Sequence, residues 1–144
     1  MKYFTSEWWG IRDGPAGPDP VPVYRAYYES LRGVLPPDLV AAHDAEPLHD
    51  ATLHEVEVAG AVLRVRLTVY TERESRPLTL VYSRVTSFRT VVEGSGNAAP
   101  PNAFGHLGYQ EVEVVGDGQF EHRLLFASGI ELHIRFGGFA LERV

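Results

Sequence analysis

The sequence predicts an α+β fold in which an antiparallel sheet of about six or seven strands carries N-terminal helices on one face. Three observations lead there. Apolar residues recur at helical spacing only between residues 19 and 46, and from Thr52 onward the apolar period changes to two. Nowhere do helical and strand patterns alternate in the way that parallel βαβ crossovers require.

Residues 1–18 read as an N-terminal arm. They hold Tyr3, Phe4, Trp8 and Trp9, followed by Gly14, Pro15, Gly17 and Pro18, which cannot continue a helix or a central strand. Residues 19–46 form the helical segment. Asp19 and Pro20 supply an N-cap and a first helical residue, and Tyr24, Tyr27, Tyr28 and Leu31 follow at helical spacing until Gly33. Pro36-Pro37-Asp38 restarts the chain, and Leu39 to His43 make a second short helix ahead of Pro47.

The sheet occupies residues 50–144. A two-residue turn at Gly60-Ala61, of the type that places Gly first, opposes Val58 to Leu63, Val56 to Val65 and His54 to Leu67 on an apolar face. On the other face the same register opposes Glu57 to Arg64 and Glu55 to Arg66, whereas a slip of one residue would set Glu against Val or Leu. Further strands are expected in Leu78–Ser83 and Thr86–Glu93, entered through a charged turn at Glu72–Pro77. A long loop, residues 94–105, is rich in breakers. A meander over Tyr109–Val115, Gln119–Phe126 and Ile130–Phe136 completes the sheet. Its last turn is the three-residue loop Ala127-Ser128-Gly129, which aligns Phe126 with Ile130, Leu124 with Leu132 and Phe120 with Phe136 and puts Gly at the left-handed position. The inward set is then Val56, Val58, Leu63, Val65, Leu67, Val112, Val114, Phe120, Leu124, Leu132 and Ile134.

Composition narrows the class. At 144 residues, with 44% hydrophobic and 22% charged side chains, the chain suits one packed domain. It has no cysteine, so neither a disulfide nor a thiolate centre is available. A formal charge of -6 disfavours nucleic acid and anionic lipid as partners. No run approaches the ~20 apolar residues of a membrane span, and Met1–Glu7 lacks the apolar stretch of a secretion signal, so a cytoplasmic protein is expected.

The histidines are the candidate reactive groups. His43-Asp44 and His49-Asp50 form an HD-x4-HD spacing, but they lie on a short helix and a sheet approach rather than on several long helices. Neither a metal nor a cofactor is therefore expected, and Asp50 reads as a turn acceptor. His54 and His122 fall on the apolar face, His122 between Val112 and Ile134, where a buried imidazole needs a partner and desolvation should hold it neutral. Together with Tyr82, Tyr109 and Asp50 they make a candidate pocket between helices and sheet. His133, on the polar face near Arg123, is expected to be exposed, and His106 belongs to a site rim or a turn. Tyr24, Tyr27 and Tyr28 read as a core stripe first and a cavity lining second. Trp8-Trp9 reads as packing first and a partner surface second. Glu111, Glu113, Asp117, Glu121 and Glu131 are the candidate acidic surface. No phosphate loop and no nucleophile elbow is present.

The stretch Met1-Lys2-Tyr3-Phe4-Thr5-Ser6-Glu7-Trp8 and the block from Phe120 to Leu132 resemble segments of uncharacterised small bacterial proteins, some of them immunity-like and encoded beside toxins. The resemblance is structural in content and carries no active site. The acidic excess and the absence of catalytic signatures point to a non-enzymatic protein that binds a basic protein partner, toxin neutralisation being the most concrete form. The alternative is a small-molecule binder or small enzyme using the cavity with His54 and His122.

Overall fold

A computed structural model of the chain describes residues 1–10, 17–92 and 104–143. Three helices come first: α1 (Ser6–Trp9), α2 (Val21–Leu31) and α3 (Pro37–Asp44). Thr5 caps α1 by accepting from the Trp8 N–H at 3.0 Å, so the N-terminal arm contains one helical turn. Asp19 accepts from the Val21 N–H at 3.0 Å and Pro20 takes the N-cap position, one residue later than the spacing implied. Gly14, Pro15 and nearly all of the 94–105 loop lie outside the described residues.

Eight strands follow: β1 (Thr52–Ala59), β2 (Val62–Tyr70), β3 (Ser75–Ser83), β4 (Ser87–Val92), β5 (Leu107–Gly116), β6 (Gln119–Phe126), β7 (Ile130–Phe136) and β8 (Gly138–Glu142). They form two four-stranded antiparallel sheets, ordered β1-β2-β3-β8 and β4-β7-β6-β5, in place of the single sheet expected. The chain changes sheet at one corner. The Val85 N–H donates to Ala61 of the first sheet, and the next residue, Thr86, donates to Arg135 of the second, each at 2.9 Å. The return crossing, Gly137-Gly138, lies against the first. A Cβ at Gly137 would sit 2.7 Å from the Arg84 guanidinium, and one at Gly138 would strike the Ser83 hydroxyl. Two consecutive glycines let the strands cross that closely.

The inner faces enclose one core. Leu63, Val65, Leu67, Leu80 and Tyr82 from the first sheet meet Val112, Leu124, Leu132, Ile134 and Phe136 from the second, all at most 1% exposed. Tyr82 joins the layers, its ring 5.0 Å from that of Phe136. The two turn-defined registers are as the sequence implied: Val58 opposes Leu63, Glu57 opposes Arg64, Leu124 opposes Leu132 and Phe120 opposes Phe136. Gly60 and Gly129 take φ values of 60° and 88° in their turns. Val58, expected inside, is 58% exposed, because it lies at the end of edge strand β1. A bulge at His54 lets Leu53 oppose Leu67 and turns the histidine outward to Thr68, 2.6 Å away.

The helices cover strand edges instead of a sheet face. An edge strand presents unpaired N–H and C=O groups that must be bonded or solvated. Asp38 of α3 accepts from the Leu141 N–H on β8 at 2.9 Å, and the Tyr24 hydroxyl of α2 accepts from the Val112 N–H on β5 at 3.0 Å.

The outward face of the second sheet is not a solvated polar surface. Glu111, Glu121, Arg123, Glu131 and His133 are all 7% exposed or less, which corrects both the acidic surface and the exposed His133 expected from alternation. Arg123 is central, 3.2 Å from Glu111, 2.9 Å from Glu113 and 3.1 Å from Glu121. Glu131 takes the Met1 amine, and His133 lies 3.8 Å from both Glu121 and Glu131. Glu111 also accepts from the Lys2, Tyr3 and Phe4 N–H groups at 2.9, 2.6 and 2.7 Å, which docks the N-terminal segment onto the charged face. Of the five acids, Asp117 alone is exposed, in the β5–β6 turn.

Candidate functional site

A cleft of about 480 Å³ opens between α2, α3 and the N-terminal half of β5. Its walls are Val21, Tyr24 and Tyr28 from α2, His43 and Asp44 from α3, and Pro47, Leu48 and His49 from the segment that follows; Leu107 to Gln110 form its floor. Helical spacing puts Val21, Tyr24 and Tyr28 on one side of α2, and the Pro36-Pro37 restart turns α3 back so that its C-terminal turn faces them. An apolar lining with a few convergent polar groups is the usual make-up of a small-molecule site.

The polar groups are organised. The Tyr24 hydroxyl accepts from Val112 N–H and lies 3.0 Å from His43 Nε2, to which it donates. His43 Nδ1 then faces Asp44 Oδ1 at 3.2 Å, and Asp44 is ion-paired with Arg32. This chain of bonds holds the neutral ring with its proton on Nδ1. Burial lowers the His43 pKa, more than the Asp44 hydrogen bond raises it, and burial raises that of Tyr24. Tyr28 stacks on the His43 ring at 3.8 Å. Its buried hydroxyl falls short of hydrogen-bond geometry, and its pKa is raised by burial first and by the nearby Asp44 carboxylate second. Glu46, at the base, is desolvated, yet hydrogen bonds from Arg143 and Arg76 hold it below the ordinary carboxylate range. Arg25, on the rim, is the one charged side chain of the lining without an ion-pair partner among the described residues.

The five residues of the expected pocket do not meet in one place. Tyr82 and His122 do: the Tyr82 hydroxyl and His122 Nδ1 are 2.8 Å apart, and His122 Nε2 donates to Gln110 Oε1 at 2.9 Å. His122 is fully buried, opposite Val112 and Ile134 as its register required, and burial first, with His43 and Arg123 adding, drives its pKa down to about 3. This pair touches the cleft only through Gln110. Tyr109 lines the cleft, stacked on Phe4 at 4.9 Å and edge-on to Trp8 and Trp9, so the tryptophans pack within the fold. Asp50 sits apart at a φ of 68°, its N–H donating to Leu107. His54 faces a different, smaller hollow with Phe88 and Phe104. Direct acid/base cooperation between His54 and His122 is therefore excluded. His106 forms an isolated bridge with Thr52.

In the sequence the cleft residues stand only in separate pieces. Tyr24 and Tyr28 appeared as a stripe and His43-Asp44 as half of a metal motif; their convergence is tertiary. Among the described residues no group of three or more His, Asp or Glu side chains is arranged to hold a metal ion. Among the described residues no helix is long and apolar enough to cross a membrane. No family model matches the chain, and no curated protein matches it. Among solved structures, the crystal structure of an uncharacterized protein from Neisseria gonorrhoeae is similar at 15% identity and a TM-score of 0.45, over 67% of this chain and 93% of that one.

Proposed function

We propose that the protein binds a small, flat, largely apolar molecule in the cleft between α2, α3 and β5. The observation that carries this reading is the cleft itself: about 480 Å³ lined by Tyr24, Tyr28, Leu48, Leu107 and Tyr109, with a fixed Tyr24–His43–Asp44 chain in its wall. Arg25 favours a neutral or singly anionic ligand, because the acids of the lining already have cationic partners. The Tyr24 hydroxyl is committed to Val112 and His43, and no activated nucleophile adjoins it, which favours binding over turnover. Toxin neutralisation has less support. Of its candidate surface of Glu111, Glu113, Asp117, Glu121 and Glu131, three are internal.

A thermal-shift screen of aromatic metabolites and metal ions, run on the native chain and on Val21→Trp, tests the proposal. Val21 lines the cleft, and an indole there fills it. A ligand at ~100 times its Kd adds about 2.7 kcal/mol, a rise of several degrees in Tm. Compounds that stabilise the native chain and not the filled variant support the reading. Equal shifts in both, or no responding aromatic compound, overturn it.

A further inference from the structure

The floor of the cleft carries an unclaimed backbone pair. β5 is the outer strand of its sheet, so half of its N–H and C=O groups point away from β6. Val112 is one of these residues, since its N–H reaches outward to the Tyr24 hydroxyl. Residues 110 and 112 stand in unbroken register with Leu124 and His122, so the period of two makes Gln110 another, with both its N–H and its C=O on the outer edge. Toward the strand start, the edge is taken: Leu107 exchanges bonds with Ala51 and Asp50, and the Gly108 carbonyl accepts from His49 Nδ1 at 2.6 Å. Between these covered stretches no described residue takes the Gln110 backbone groups, and there the cleft opens.

We infer that the cleft recognises a planar lactam or carboxamide, a ligand whose N–H and C=O lie side by side and pair with the C=O and N–H of Gln110. The inference rests on the proposed binding function and names its ligand class. The exposed pair is one residue long, too short for an added strand, which needs several successive pairs. A cis-amide edge matches it: one donor and one acceptor on neighbouring atoms, with a flat apolar body behind them to fill the aromatic walls. The Gln110 side chain holds the edge in place. Its Oε1 accepts from His122, whose other nitrogen is bonded to Tyr82, so the core anchors the residue whose main chain faces the ligand.

The test is a 15N-resolved NMR titration of the full chain with quinolin-2(1H)-one and with its N-methyl derivative, which keeps the ring and the carbonyl and lacks the donor. The lactam is expected to shift the Gln110 amide and to bind about tenfold more tightly than the N-methyl compound, the value of a directional hydrogen bond in a partly desolvated site. Gln110→Pro, which deletes the N–H at an edge position, is expected to lose the preference, whereas Gln110→Ala, which loses the same side-chain anchor but keeps the N–H, is expected to weaken binding of both compounds and still to prefer the lactam. If Gln110→Pro does not fold, the Gln110 amide of the native chain decides. Equal affinity for the two compounds, with shifts at Tyr28 and Leu48 and none at Gln110, overturns edge recognition and leaves the cleft reading standing. No shift at any cleft amide with either compound overturns both.

Discussion

Replacing His122 with Leu should change how stability depends on pH by about as much as it changes stability itself. In the native fold the ring is fully buried between Tyr82 and Gln110, and its pKa lies at about 3. In the unfolded chain it returns to about 6.5. Between those values the unfolded state binds a proton that the folded state refuses, so this group's contribution to stability is complete above the unfolded pKa and is lost as pH falls toward 3. From pH 7 to pH 5 the loss comes to about 2 kcal/mol. His122→Leu abolishes it. At pH 7 the substitution should cost about 1–3 kcal/mol, because the buried Tyr82 hydroxyl loses its partner. By pH 5 that gap should close or reverse. Urea unfolding of both proteins at pH 7, 6 and 5 measures it, and His43, common to both, cancels from the difference. A gap that stays constant across the three pH values would refute a neutral, desolvated His122.

Three further outcomes are expected. Tyr24→Phe leaves the Val112 N–H and His43 Nε2 without their shared partner, so a loss of about 1–3 kcal/mol and faster amide exchange at Val112 should follow; unchanged exchange would show that the hydroxyl does not seal the β5 edge. Glu111→Ala strips three N-terminal N–H donors and Arg123 of a buried carboxylate, and should cost about 3–5 kcal/mol with loss of exchange protection at residues 2–4. A cost below about 1 kcal/mol would mean that Glu113 and Glu121 alone suffice to compensate the buried Arg123. Gly129→Ala forces a side chain into a φ of 88° and should destabilise by about 1–2 kcal/mol, read from the urea midpoint at unchanged m.

What could be read from the sequence was what neighbouring residues decide. The hairpins through Gly60-Ala61 and Ala127–Gly129 were legible because turn chemistry and the alternation of both flanking strands select the same register. His122 was legible as the one polar residue in an inward series, and Tyr82 was already among its candidate partners. The division into two sheets was not, because strand alternation looks the same whichever partner a strand takes; the corner depends on Arg84 and Gly137-Gly138 meeting across 53 residues. Alternation also misled on the polar face, where it reads Glu111, Glu121 and Glu131 as solvated. A signal was present: the β5–β6 register opposes Glu113 to Glu121, a like-charge pair that needs a cation between its members, and Arg123 is the next residue on the same face of that strand. The bulge at His54 has no local marker, so one expected pocket residue was lost to the outer face.

Ligand binding in the cleft is tested most directly by crystallographic soaking with a set of flat aromatic fragments, amides and lactams among them. Fragment density is expected to gather between α2, α3 and β5, with rings against Tyr24, Tyr28 or Tyr109 and, for the amides, polar atoms within hydrogen-bond distance of the Gln110 main chain. Fragments that settle elsewhere while this cleft stays closed by its own side chains would contradict it.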